Sequence, residues 1–354
     1  MVATGSTDGA IQLSSTEVID LADESTTCEA IEDYPIPVGT ASGGLASLPI
    51  ICGGRRGNSG PISECYIAGK KLHDPVAKLL TPRFGSAAVA ISSHQLWITG
   101  GVDGVTPLSS TEIVNVQASY ASVEKGPELP EPMVGHCIVQ LNLSTVLFMG
   151  GGPSTTKKTF FYEMTTQTWT NGPDMNYGRA YFGCGLMQTA TGSSIVVVSG
   201  GGTSLTDFHA KTEFLPLDET HGMKGSAGAL NPFHGPEFFF LSQGMTHGLK
   251  WSVGAPNPYH IHEFFCQDIF ILGPDLPIPL FAHQMVNFDG SVVAIGGGKR
   301  SGHSDALFKL LCSTKGECEW KKMSQKLTVA RDFFVAMTIP DEMANCRAKV
   351  RTKV

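Results

Sequence analysis

Residues 96–101 read Leu-Trp-Ile-Thr-Gly-Gly, and residues 108–113 read Leu-Ser-Ser-Thr-Glu-Ile. The first stretch is an aromatic and β-branched run that ends in a glycine pair, and the second is a further strand-like segment about ten residues later. A glycine pair allows positive φ and close approach of another backbone at the end of a strand. Together the two stretches predict successive short strands joined by a tight connection.

The same pattern recurs along the whole chain. The first glycine of each copy stands at Gly5, Gly53, Gly100, Gly150, Gly200 and Gly296, with spacings of 48, 47, 50, 50 and 96 residues. A third strand ends in Gly-Pro-x-Leu or Gly-Pro-x-Met at residues 126–129, 172–175 and 273–276, and an arginine often opens the next first strand, at Arg83, Arg179 and Arg331. Four short strands in a period of about 50 residues predict the blades of a β-propeller.

These residues resemble kelch repeats. The resemblance rests on the glycine pairs, the Thr-Glu-apolar strand, Trp169 and Trp320 with Met175 or Met323 soon after, and the arginine before the next blade. It covers nearly the whole chain except roughly residues 219–270. It implies an all-β, six-bladed kelch-type propeller, and it says much less about function.

The propeller is expected to be a single domain over residues 1–340. Residues 1–5 align with the second strand at 96–100, so the first strand of that blade is missing at the N-terminus. A C-terminal strand over residues 330–339 is predicted to supply it and to close the ring. Residues 341–354 are expected to form a C-terminal tail.

Residues 225–270 break the repeat. They contain nine aromatic residues and four charged ones, and they lack a glycine pair. Removing these 46 residues restores a spacing of 50, which favours an irregular insert, and a retained intron is one origin for it. A degenerate seventh blade within 225–270 and a functional loop are the alternatives.

Composition excludes several function classes. A net charge of -7 without a basic stripe argues against nucleic acid as a partner, and the apolar runs fall short of the ~20 residues of a membrane helix. The known catalytic and dinucleotide-binding motifs are lacking, and His260 and His262 alone do not make a zinc site. A monomeric, non-enzymatic protein without metal or cofactor is therefore expected.

Two functions fit such a propeller. The first is an interaction module that binds a protein partner through loops at one end of the ring. The candidate residues follow the glycine pairs and are Arg55, Arg56, Asp103, Lys157, Lys158, Lys299 and Arg300. The alternative is an extracellular sugar-binding or sugar-modifying propeller, which needs aromatic side chains on one mouth or carboxylates in the channel.

The positions of the nine cysteines indicate the cellular compartment in which the protein folds. Cys52 and Cys65 fall on adjoining strands, and Cys312 and Cys318 flank a hairpin turn, so both pairs are candidate disulfides of an oxidising compartment. These pairs favour an extracellular location, with the cytoplasm as the alternative. Cys137 and Cys184 are expected to be buried, inert thiols in first strands.

Overall fold

The computed structural model describes residues 1–5, 12–23, 26–29, 31–69, 74–117, 120–153, 155–189, 192–204, 206–217, 269–314, 316–344 and 346–348. Almost all regular structure in these ranges is β-strand, with one 3-10 turn at Gly57–Ser59 and one helix, α1, at Asp341–Ala344. In these ranges, no helix has the length and apolar character needed to cross a bilayer.

Five four-stranded antiparallel sheets form blades that follow one another along the chain. The strands before them are β1 (Val2–Thr4), β2 (Thr16–Val18) and β3 (Thr26–Cys28). Blade A contains β4 (Ser42–Leu45), β5 (Pro49–Cys52), β6 (Glu64–Ile67) and β7 (Ala77–Lys78); blade B contains β8 (Ala87–Ser92), β9 (Gln95–Thr99), β10 (Thr111–Val116) and β11 (Ala121–Lys125). Blade C contains β12 (Cys137–Gln140), β13 (Thr145–Met149), β14 (Thr159–Glu163) and β15 (Thr168–Asn171); blade D contains β16 (Gly183–Gln188), β17 (Ser194–Ser199), β18 (Thr212–Pro216) and β19 (Ile271–Leu272).

Blade E contains β20 (Gln284–Phe288), β21 (Ser291–Ile295), β24 (Ala306–Cys312) and β25 (Cys318–Lys326), with a small hairpin of β22 (Gly298–Lys299) and β23 (Gly302–His303) between its second and third strands. The last strands are β26 (Val335–Met337) and β27 (Cys346–Ala348). The first strand of each blade is innermost. These strands contact one another in the order β26, β4, β8, β12, β16, β20 and back to β26. The described strands thus surround one channel, as in a β-propeller.

The chain ends meet in a three-stranded sheet, which we call the terminal sheet. Its order is β2-β1-β26, with Val2 opposite Met337 and Thr4 opposite Val335. The predicted sixth blade thus corresponds to a sheet of three strands, beside five complete blades. Within the expected tail at 341–354, β27 pairs with β3 and sets Cys346 opposite Cys28.

Among the described residues, six apolar clusters each lie between two neighbouring sheets, and a seventh, smaller cluster contains Phe208, Phe281 and Ala282. Second strands are buried on both faces, as in Ile195–Val198 and Val292–Ile295, which explains their unbroken apolar runs. In the cluster between blades B and C, Trp97 packs against Phe148 and Trp169, with ring centroids 5.2 and 6.4 Å apart. Closing the ring therefore gives both faces of every sheet a partner.

Three buried arginines tie the blade connections together. Arg179 precedes β16, and its Nη1 donates to the carbonyl oxygens of Gly200 and Lys211 at 2.7 and 3.0 Å. Its Nη2 pairs with Glu213 on β18 at 2.5 Å, and both side chains are fully buried. The Arg83–Glu112 pair of blade B and the Arg331–Glu17 pair of the terminal sheet repeat this arrangement. The arginines that open first strands thus serve packing within the fold.

Blades A, C and E carry apolar pairs in the same register. One hydrogen bond shows which residues take the place of the arginines. In the blade before each arginine, the second glycine of the glycine pair donates to the backbone carbonyl of Arg83, Arg179 or Arg331. The same bond is made to the backbone carbonyl of Met133 and of Leu280 in the other connections. The position of Glu213 corresponds to Tyr66, Phe160 and Phe308 in these blades. Around the ring of the described chain, an arginine–glutamate pair therefore alternates with an apolar pair at the same position. We call these pairs the ionic locks and the apolar locks.

Four cysteine pairs have their sulfur atoms within bonding distance. Cys52 lies opposite Cys65 and Cys312 opposite Cys318, each with Cα atoms 4.0 Å apart. Cys28 and Cys346 pair across β3 and β27. Cys137 and Cys184 were expected to be free thiols, but they join the innermost strands of blades C and D with Cα atoms 6.1 Å apart. These pairs are compatible with an oxidising, extracellular compartment.

Replacing Cys312 and Cys318 by serine should lower the free energy of unfolding by about 2–3 kcal/mol, because the bond restricts the unfolded chain by closing a short loop. Non-reducing digestion of the native protein should return the Cys52–Cys65 and Cys312–Cys318 peptides as linked species, detected by mass spectrometry. Free thiols at all four positions would instead place the native protein in a reducing compartment.

Residues 218–268, on which nearly all of the predicted 225–270 insert and the alternative seventh blade fall, lie outside the described residues. The strands on either side of them pair directly, with Glu213 opposite Leu272 and Phe214 opposite Ile271. In sequence, the segment thus falls between the third and fourth strands of blade D.

Phe270 falls within the predicted 225–270 insert, but it is buried in the apolar cluster between blades C and D and therefore belongs to the propeller. Joining Lys224 directly to Ile269, which retains Phe270, should leave the propeller folded with equal or better solubility. The two flanking strands are already neighbours, and loop length changes the closure free energy by only about 0.6 kcal/mol per doubling. The unfolding midpoint and solubility of the shortened chain are compared with those of the full chain. An unfolded product would show that the segment is an integral blade.

Candidate functional site

Six residues form a hydrogen-bonded collar around one end of the channel. Each precedes an innermost strand, and each has left-handed φ, between 50° and 64°. Each backbone N–H donates to the carbonyl oxygen of the preceding collar residue at 2.7–3.0 Å, so that the ring closes on itself. The collar residues are Thr40, Gly85, Gly135, Tyr181, Ala282 and Phe333. Left-handed φ costs a non-glycine residue on the order of 1 kcal/mol, and these bonds help to offset that cost.

Two collar glycines make room for the ring of Tyr181. A Cβ on Gly135 would lie 2.9 Å from atoms of this ring, and a Cβ on Gly85 would lie 3.1 Å from its hydroxyl oxygen. The phenol therefore lies across the part of the collar that has no side chains. Burial raises the pKa of Tyr181, so the neutral phenol can donate and accept hydrogen bonds here.

Aromatic side chains surround the collar on its outer side. Tyr181 lies 5.2 Å from Phe333 and 5.4 Å from Phe281, and Phe281 lies 5.6 Å from Phe333. Phe84 also lines this cavity, which has a volume of about 650 Å³. We call the surface made by Phe84, Tyr181, Phe281, Phe333 and Arg55 the aromatic bowl.

Arg55 brings a positive charge to this bowl. Its guanidinium carbon lies 5.7 Å from the ring centroid of Phe84, and its Nε donates to the carbonyl of Gly57 at 3.2 Å. Both contacts orient a side chain that is otherwise exposed. The bowl thus combines aromatic faces, one guanidinium and one phenol hydroxyl.

The glycine-pair loops lie on the same mouth as the bowl. The residues after the pairs of blades A, B and D form bridges with Gly39, Phe84 and Ala180, which line the cavity. Among the seven loop residues singled out in the sequence, Arg55 lines the cavity itself. Arg56, Lys157 and Arg300 are exposed, and Lys299 is half-buried on the β22–β23 hairpin. Lys158 is exposed and pairs with Glu131 at 2.5 Å.

Asp103 is exposed and shapes the rim through one of its two carboxylate oxygens. Its Oδ1 accepts from the N–H groups of Val105 and Thr106 at 3.0 and 2.7 Å. These bonds lower the pKa of Asp103. The turn holds Val105 at the loop tip with its surface 90% exposed. Sequence reasoning missed Val105, although the Asp-Gly turn before it was a usable signal.

The histidines of the first strands are packing residues. His136 contacts Thr99 Oγ1 through Nε2 at 2.8 Å, and His283 contacts Ser199 Oγ at 3.2 Å, in each case across two blades. Burial lowers the pKa of both to about 3, so both are neutral at physiological pH. They hold neighbouring blades together and take no part in the bowl.

A histidine–aspartate pair lies beside the collar. His303 Nδ1 is 3.2 Å from Asp332 Oδ2, and Asp332 directly precedes Phe333. Burial raises the pKa of Asp332 to about 6, and the neighbouring His303 opposes that rise. Since Asp332 is only 7% exposed, the pair fastens the β22–β23 hairpin to the collar. In the part of the chain that the structure describes, no group of three or more potential ligands is placed to hold a metal ion.

Comparisons with known proteins support the fold alone. No protein-family model matches the chain, and no curated protein matches it. Among the solved structures, 185 chains match. One of them, titled "Structure of YjhT", superimposes with a TM-score of 0.59 over 90% of this chain and 96% of its own, at 10% identity. Because the identity is low, this similarity shows a shared β-propeller architecture alone.

Proposed function

We propose that the chain is a non-enzymatic, six-bladed, kelch-type propeller that binds a protein partner at the mouth carrying the aromatic bowl. The terminal sheet is counted as the sixth blade. The collar supports this count, because it takes one residue from each of the five blades and one from the terminal sheet.

The aromatic bowl carries the proposal. The half-buried Phe84, Tyr181 and Phe333 and the buried Phe281 line a concave surface, and the exposed Val105 lies at its rim. Buried aromatic pockets with exposed apolar rims are typical sites for the anchor residue of a protein interface. The collar residues Thr40, Tyr181 and Phe333 also line this cavity, so the bowl rests on the ring of backbone hydrogen bonds.

Charge at the rim indicates the chemistry of the partner. Arg55 lines the bowl, Arg56 adjoins it, and Lys299 and Arg300 follow the glycine pair of blade E. Against these four cations, Asp103 is an exposed anion of the same rim and uses only Oδ1 in its own turn. The proposed ligand is therefore a protein segment with an apolar or aromatic anchor next to a carboxylate. A basic rim favours a scaffold over a catalytic site, which would need available carboxylates.

Two exposed apolar residues allow a matched test of the binding face. Val105 lies on the rim of the bowl and is 90% exposed. Leu143 is 92% exposed and lies on the turn between β12 and β13 of blade C, at the end of the propeller opposite the bowl. In chains produced without N-glycosylation, a photo-crosslinking residue at position 105 should capture the partner in an extract of the native source, and the same residue at 143 should not. Equal capture at both positions would argue against the mouth as the binding face.

Arg55→Ala should weaken binding of the captured partner about tenfold, which corresponds to roughly 1.4 kcal/mol. The loss combines the charge with the contact on Phe84. Lys78→Ala is the control, since Lys78 is an exposed cation on the outermost strand of the same blade and does not line the cavity. The affinities are measured by calorimetry. An Arg55 variant with unchanged affinity would exclude the bowl as the anchor site.

A sugar ligand is the second candidate, and it is favoured by the clustering of aromatic rings on one mouth with the Tyr181 hydroxyl among them. A sugar stacks on such rings and needs convergent polar groups for its hydroxyls. Tyr181→Phe should weaken a saccharide but leave an apolar peptide anchor nearly unaffected. Titration of wild type and Tyr181→Phe with a saccharide panel distinguishes the two candidates.

We further propose that the protein is a monomer that functions outside the cell. The four cysteine pairs support this location, since such bonds persist in oxidising compartments.

A further inference from the structure

The chain contains one Asn-x-Ser/Thr sequence with no proline at the middle position, at Asn142-Leu143-Ser144. It forms the turn between β12 and β13, the first two strands of blade C. Leu143 at its tip is 92% exposed, and Asn142 beside it is half-buried. By sequence alone such a triplet is common, but an exposed hairpin tip is the surface position that N-glycosylation requires.

The turn lies at the end of the propeller opposite the aromatic bowl. The strand β12 starts next to collar residue Gly135 and runs away from the collar toward Asn142. Seven residues of extended chain span roughly 20 Å. A bulky group on this turn would therefore leave the bowl and its rim accessible.

The cysteine pairs supply an independent argument. Eight of the nine cysteines lie in four pairs at bonding distance, and such pairs persist in the compartments through which secreted proteins pass. A chain that forms them there also presents its Asn-x-Ser triplet to the glycosylation machinery.

We propose that Asn142 carries an N-linked glycan. The donor class is an oligosaccharide linked to a polyprenyl diphosphate. Asn142 Nδ2 forms a bond to the anomeric carbon, the bond from that carbon to the diphosphate oxygen breaks, the polyprenyl diphosphate leaves, and Nδ2 loses one proton. No change of oxidation state occurs.

The local geometry tolerates this linkage. The turn is held by Asn142 Oδ1, which accepts from Ser144 N at 2.8 Å, Ser144 Oγ at 3.1 Å and Thr145 N at 2.9 Å. The sugar bonds to Nδ2, whereas these three hydrogen bonds are accepted by the carbonyl oxygen, so the linkage leaves their acceptor atom unchanged.

The test has two arms. In the protein purified from its native source, the peptide containing Asn142 should carry a glycan, and enzymatic release of that glycan should convert Asn142 to aspartate. In a glycosylating host, with the full chain directed to the secretory pathway, wild type and Ser144→Thr should be modified. Asn142→Gln and Ser144→Ala should not be.

Glycosylation precedes export, so chains retained inside the host's secretory pathway are analysed together with secreted ones, and a folding defect does not obscure the result. An unmodified Asn142 in the native protein overturns the proposal. An unmodified wild-type chain with its disulfides formed in the host overturns it as well.

Discussion

Replacing Arg179 by methionine should lower the free energy of unfolding by about 3–5 kcal/mol, because it leaves the fully buried Glu213 without its ionic partner. Burial lowers the pKa of Arg179, and the carboxylate of Glu213 opposes that shift. The expected loss is a large part of the ~5–15 kcal/mol that stabilises a typical domain. The loss is measured by urea unfolding of both proteins, and the unfolding free energy of each should depend on urea concentration with the same slope.

The alternation around the ring provides a compensated variant. Blade C places Met133 and Phe160 where blade D has Arg179 and Glu213. Arg179→Met combined with Glu213→Phe should therefore recover part of the loss, since it removes both charges together. The recovery is incomplete because Glu213 also accepts from the N–H groups of Asn176 and Tyr177.

In blades A, C and E, the connection before the first strand explains why no glutamate is needed to accept from these backbone N–H groups. They read Pro35-Ile36-Pro37, Pro130-Glu131-Pro132 and Pro277-Ile278-Pro279 before Val38, Met133 and Leu280. A proline stands where blade D has Asn176, and it has no N–H to satisfy. Adding Asn176→Pro to the double variant should accordingly recover further stability.

An exposed ion pair of the same blade supplies the control. Lys211 pairs with Asp275 at 2.9 Å, with both side chains at least 40% exposed. Lys211→Met should cost no more than about 1 kcal/mol, as surface pairs do. If Arg179→Met costs no more than this control, or if the triple variant is no more stable than the single one, the account of the locks is wrong.

The sequence revealed features of the fold that demand particular residue types. Glycine pairs were visible because their φ values, such as 62° at Gly53 and 99° at Gly54, favour glycine. The arginines before first strands were visible as a repeat, although their partners were not assigned. The ionic and apolar alternation was missed because it emerges only when the Pro-x-Pro connections are aligned with the third strands.

The aromatic bowl could not be predicted from the sequence. Its aromatic residues, Phe84, Tyr181, Phe281 and Phe333, are about 50 to 100 residues apart, and only the ring brings them together. The collar has no residue signature, since four of its six members adopt left-handed φ without being glycine.

Cys137–Cys184 did leave a usable signal. Their separation of 47 residues is close to one repeat, which places them on adjacent first strands.

Ending the chain after Val329 should remove several kcal/mol of stability, a loss on the scale of the whole domain. The truncation removes β26, so β1 loses a strand partner and the edges of the ring are left open. It also removes Arg331, which donates to the Gly5 carbonyl at 3.1 Å and pairs with Glu17. The collar loses Phe333, whose carbonyl accepts from Thr40 at 2.7 Å.

A chain ending after Ala348 is the matched control, because it keeps β26, β27 and the Cys28–Cys346 pair. The control should unfold at the midpoint of the full chain, whereas the shorter chain should be unfolded or melt far below it. The shorter chain should also bind an apolar dye, since the terminal sheet covers the facing surfaces of blades A and E. Equal midpoints for both truncations would mean that the C-terminal strand does not close the ring, because removal of β26 breaks contacts with both neighbouring blades.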